Sequence, residues 1–93
     1  MNNKIQQEIS RHQHQVKSYQ IDIDGAKRQI ESLKDHIART KNRGKLTPGE
    51  KSSIEIDKKR IEDWKSVIER RKASIKIEKE SHKSVLAYLK KQK

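Results

Sequence analysis

Residues Arg39 to Lys51 read RTKNRGKLTPGEK and hold the one proline of the chain and two of its three glycines. Gly44 stands where a helix closes on a left-handed residue, a conformation in which a side chain would clash and glycine does not. Shortly after it, Thr47-Pro48-Gly49-Glu50 offers an N-cap hydroxyl, a proline at the first helical position and a glutamate spaced to close a capping box. A helix stop followed at once by a helix start predicts a corner, not a domain linker. Helices joined by so short a connection lie antiparallel.

Outward from the corner, both arms carry a heptad stripe. In the N-terminal arm Ile9, Val16, Ile23, Ile30 and Ile37 fall at position a, and Ile5, His12, Tyr19, Ala26, Leu33 and Thr40 at d. In the C-terminal arm Ile54, Ile61, Ile68, Ile75, His82 and Leu89 fall at a, and Asp57, Trp64, Arg71, Glu78 and Val85 at d. The stripe is narrower than a helix packed on a globular core would show. It predicts an all-α fold, a long antiparallel two-helix coiled-coil hairpin over residues 1–93 with helix 2–42, turn 43–47 and helix 48–91, able to dimerise into a four-helix assembly. The charged d residues of the second arm imply either water access or pairing across the seam. Gly25 is the single breaker, at about 1 kcal/mol against alanine in a helix interior. Two registers fit: one sets Ala26 beside Trp64 and His12 beside Glu78, the other Ile30 beside Trp64, Tyr19 beside Ile75 and His12 beside His82.

Composition agrees with a seam and not with a rounded core. Of 93 residues 29% are hydrophobic and 40% charged, with no Phe and a single Trp, a balance compatible with disorder or with an extended helical assembly, between which the heptads decide. Absence of cysteine excludes disulfides and thiolate metal sites. No apolar run has signal-peptide or membrane-spanning length, so a soluble, cytoplasmic protein is expected. The formal net charge of +11 favours an acidic partner: nucleic acid, an acidic protein surface or an anionic membrane.

How the lysines are distributed sharpens that expectation. In an antiparallel hairpin the two e rows share one flank of the seam, and opposite charges are the usual arrangement there. Here the first helix places Gln6, Gln13, Gln20, Lys27, Lys34 and Lys41 at e. The second places Lys58, Lys65, Lys72, Lys79 and Leu86 there. Glu31, Glu55, Glu62 and Glu69 at b can neutralise part of this row, and lysine stems lying along the seam are the plain alternative to a binding face. Beyond Glu69 the b residues become Lys76, Lys83 and Lys90, so Lys72, Lys76, Lys79 and Lys83 form an unbroken basic strip. Arg43 and Lys45 add charge at the corner. Such an edge gains when counterions are exchanged for phosphates.

The shape limits what nucleic-acid contact is available. A single helix fits the major groove and two side by side do not, so base readout is not expected. Single-strand binding wants exposed aromatic platforms, yet Tyr19 and Trp64 are seam positions and only Tyr88 lies outside. The expected contact is therefore to the backbone, weakly selective and salt-dependent. A competing expectation rests on Ile56, Val67, Ile77 and Tyr88, which recur outside the seam at close to eleven residues and are candidates for docking on a protein or a second copy. Scattered outward apolar residues are also ordinary on a soluble surface.

Other chemistry finds no constellation. His12 and His14 lie on different sides of a helix, as do Asp22 and Asp24, and no phosphate loop, nucleophile set or zinc pattern occurs. Glu62, Asp63 and Glu69 lie on an open surface with no cleft to tune them as acids or bases. A non-enzyme without cofactor or metal is the expectation. In layout the chain resembles a small basic helical hairpin of the large ribosomal subunit and the tRNA-binding coiled-coil arm of seryl-tRNA synthetases. The likeness is one of architecture and carries over no functional residue. It also resembles the accessory proteins of phages and mobile elements, a resemblance that implies an adaptor or inhibitor acting on host nucleic-acid machinery.

Overall fold

The structure, a computed structural model, describes residues 3–92. It consists of two helices, α1 (Asn3–Lys41) and α2 (Pro48–Lys91), folded back on each other in a rod of 72 × 15 × 13 Å. Residue 2 of the predicted first helix lies outside the described residues, and α1 ends at Lys41, just short of the expected residue 42. Asn42 already belongs to the turn, although its N–H still donates to the Ala38 carbonyl at 3.0 Å.

The corner is built as its residue types require. Gly44 has φ 98°, the one left-handed residue among those described, and its N–H donates to the Lys41 carbonyl at 3.3 Å. Across the turn the Glu50 N–H donates to Thr47 Oγ1 at 3.1 Å, and the Thr47 N–H donates to Glu50 Oε1 at 3.0 Å. Pro48 follows the cap directly. Donors that a helix start leaves unsatisfied are thus closed reciprocally, which fixes where α2 begins.

The buried apolar residues are Ile23, Ala26 and Ile30 from α1 and Ile54, Ile61 and Ile68 from α2, all at a or d. Leu33, Ile37, Trp64, Val67 and Ile75 pack against them half-buried. This central core does not reach the open end, where the seam turns polar. Of the two readings of the charged d residues, pairing across the seam is adopted at all three, and at exposed Arg71 it is combined with water access. Buried Asp57 lies with Oδ2 2.6 Å from His36 Nδ1, Arg71 Nε donates to Asp22 Oδ2 at 3.2 Å, and the Arg11 guanidinium donates to Glu78 Oε1 at 2.9 Å. Each of these joins α1 to α2, so the antiparallel pairing is pinned along its length. Both candidate neighbours of His12 meet it at once: its ring stacks on His82 with centroids 3.8 Å apart, and its Nδ1 stands 3.4 Å from Glu78 Oε1.

Candidate functional site

The lysine edge follows from the heptad phase. Because residues seven apart return to the same side of a coiled-coil helix, Lys27, Lys34 and Lys41 on α1 and Lys58, Lys65, Lys72 and Lys79 on α2 line one flank, and all are exposed. Lys76 and Lys83, also exposed, continue the strip on the outer side of α2. Four lysines are held by the glutamate one turn earlier: Lys34 by Glu31 at 4.0 Å, Lys58 by Glu55 at 3.5 Å, Lys65 by Glu62 at 3.4 Å and Lys72 by Glu69 at 3.9 Å. These are solvated pairs, each worth a few tenths of a kcal/mol to about 1 kcal/mol. Among the described residues Lys27, Lys41, Lys76, Lys79 and Lys83 have no carboxylate within 4.0 Å. At the tip Arg43 reaches Glu50 at 3.9 Å while Lys45 projects from the turn, exposed.

The proposed apolar stripe divides. Ile56, Ile77 and Tyr88 are exposed by 54%, 66% and 62%. Val67 is not an outer residue of the same kind, since it leans on the core beside Trp64 and is half-buried. Ile21, which the eleven-residue spacing does not reach, is 56% exposed on α1. It borders an open groove of about 410 Å³ together with Gly25, Ala26, Trp64, Val67 and Arg71. A Cβ placed on Gly25 would have nothing within 4 Å, so the missing side chain leaves a notch. Trp64 is accordingly less enclosed than its seam position predicts.

A polar cluster at the open end went unread in the sequence, because its members come from a, d, g and c positions on separate helices. Glu8 is buried, and Arg11 grips it through Nε at 2.9 Å and Nη2 at 2.6 Å while reaching Glu78 at 2.9 Å. His82 Nδ1 lies 3.3 Å from Glu8 Oε1 beneath the His12 stack. The Arg11 hydrogen bonds hold the Glu8 carboxyl down at about 2, against the opposing effect of burial, with His82 assisting. Glu8 first and Glu78 second hold the Arg11 guanidinium above its ordinary value. The only sequence signal was the His12 pairing with Glu78 or His82.

The concavities among the described residues are open to solvent. One open concavity, about 630 Å³, lies on the outer surface of the first turns of α1 and is lined by that helix alone. Among the described residues no group of His, Asp and Glu is arranged to hold a metal ion, and no helix is long and apolar enough to cross a membrane. Comparison with family models, with curated proteins and with solved structures finds no match in any of the three. The resemblance to ribosomal and synthetase hairpins is thus one of layout alone.

Proposed function

We propose that the chain is a non-enzymatic, cytoplasmic helical hairpin that contacts nucleic-acid phosphates through its lysine edge, within or upon a nucleic-acid-handling complex. The observation that carries this reading is the segregation of lysine: the e rows and the distal b row hold Lys27, Lys34, Lys41, Lys58, Lys65, Lys72, Lys76, Lys79 and Lys83, and five of these have no carboxylate partner among the described residues. Arg43 and Lys45 extend the charge around the tip. A rigid rod gains nothing internally from like charges held side by side, whereas a polyanion releases condensed counterions on meeting them. Each lysine acts as a point charge, so DNA and RNA backbones are both accepted.

The test is a titration of duplex DNA and duplex RNA across a salt series. Engagement of the five unpartnered lysines gives a slope of log K against log salt of about −4 to −5. An affinity indifferent to salt would remove the proposal. A second reading, a protein-binding adaptor or inhibitor of phage or mobile-element type, is favoured by one observation, the exposure of Ile56, Ile77 and Tyr88 on the side away from the lysines. It requires Ile56→Ser and Ile77→Ser to abolish partner capture while lysine substitutions leave it intact.

A further inference from the structure

Lysine is kept off one face of this rod, and four of the seven arginines stand there. Between Lys4 and Lys91 no lysine stands at c or g in either helix, whereas Arg11, Arg39, Arg60 and Arg70 all do. The same face holds the exposed Ile56, Ile77 and Tyr88, and the groove over Trp64 opens on it. We infer that a second copy of this chain docks on the c and g face about a two-fold axis across the rod, α1 against α1 and α2 against α2, each antiparallel. The inference specifies the surface behind the dimer expectation and does not depend on phosphate binding.

Self-complementarity of α2 carries the argument. Turned about a two-fold axis at the level of Lys72, every c residue meets a g residue of the other copy. Ile56 then meets the partner's Tyr88, and Ile77 the partner's Val67. The charged positions fall opposite serine: Asp63 on the partner's Ser81, Arg70 on the partner's Ser74, Arg60 on the partner's Ser84. Apolar meets apolar, no like charges are opposed, and an isologous contact demands that pattern. Arginine is also the cation suited to a packed contact, being weakly hydrated and planar.

The first helix is open at the level of that axis. On α1 the exposed Ile21 stands at f, bordering the face, and the Gly25 notch lies on the face at c, one turn on. In the folded hairpin that level coincides with Lys72, because neighbouring Asp22 and Arg71 are bonded at 3.2 Å. The axis therefore passes α1 beside the notch. Inside the monomer Gly25 is required neither by its φ, which is not left-handed, nor by crowding, since nothing stands within 4 Å of a Cβ. A face of 72 × 15 Å offers roughly 1,000 Å² per copy, against about 800 Å² in a stable interface of standard size. The lysine edges turn outward, so the dimer does not press its largest charges together.

Sedimentation equilibrium of the full chain tests this with substitutions of opposite sign at Ser81, an exposed residue outside the seam. Ser81→Arg creates two attractive pairs with the partner's Asp63 and is expected to tighten dimerisation about threefold to fivefold, and Ser81→Glu to weaken it by a similar factor. Ile56→Ser with Ile77→Ser is expected to leave a monomer whose helicity by circular dichroism is unchanged. A wild-type chain that stays monomeric at several hundred micromolar would overturn the inference. So would a dimer in which both Ser81 substitutions shift association the same way or not at all, since such a dimer uses another face. A negative salt series with a dimer intact would count against phosphate binding alone.

Discussion

Glu8 shows how a single side chain ties this molecule to pH. Its carboxyl is held near 2, chiefly by Arg11, whereas an unfolded glutamate titrates near 4.5. A depressed folded value means that the ionised form stabilises the hairpin. That contribution is complete above pH 4.5 and is lost as pH falls toward 2. Glu8→Gln cannot lose it. The melting temperature of Glu8→Gln should therefore lie below that of the parent chain at pH 7, and the gap should close between pH 4.5 and 2. A gap that persists at pH 2 would mean that Glu8 acts through packing and not charge. Gly25 makes the complementary case: Gly25→Ala has open space for its Cβ and should raise stability in urea titration by about 0.5–1 kcal/mol. Were stability to fall, the notch would be required by the hairpin itself.

At the scale of the element, the corner and the charged seam have different standing. Thr47→Ala removes one half of the reciprocal cap and is expected to cost about 1 kcal/mol in urea unfolding. His36→Ala leaves buried Asp57 without its cross-helix partner and is expected to cost about 1–3 kcal/mol. If His36→Ala proved neutral, Asp57 would have another partner and the seam would not depend on that contact. The corner was legible in the sequence because capping chemistry is local: glycine, threonine, proline and glutamate sit within one turn of each other. The core was legible because heptad phase is also local, and Ile23, Ile30, Ile54, Ile61 and Ile68 are buried where it places them. The partners of Asp57, Arg71 and Glu78 were not, since His36, Asp22 and Arg11 come from the other helix and a shift of register by one turn would reassign them. Exposure of Ile21 was hidden for a related reason, its significance lying in a groove that Gly25 and Ala26 of α1 line together with Trp64, Val67 and Arg71 of α2.

At the scale of the whole molecule, the two faces have a joint consequence. A two-fold axis that buries the c and g face turns the lysine edge of each copy outward on opposite sides of the assembly, so one dimer can hold two duplexes. Bridging then depends on both faces and simple binding on one. With a duplex tethered to beads and a second, labelled duplex in solution, the parent chain should carry label onto the beads at moderate salt. Ile56→Ser with Ile77→Ser should keep its affinity for a single duplex but carry little label. Lys76→Gln, Lys79→Gln and Lys83→Gln together should reduce the salt slope by about 2 to 3 and weaken both readouts, for DNA and RNA alike. The decisive comparison is the first variant: if a hairpin shown to be monomeric still joined two duplexes, the bridge would have to come from two contact surfaces on one rod, and the division of labour between the lysine and arginine faces would be wrong.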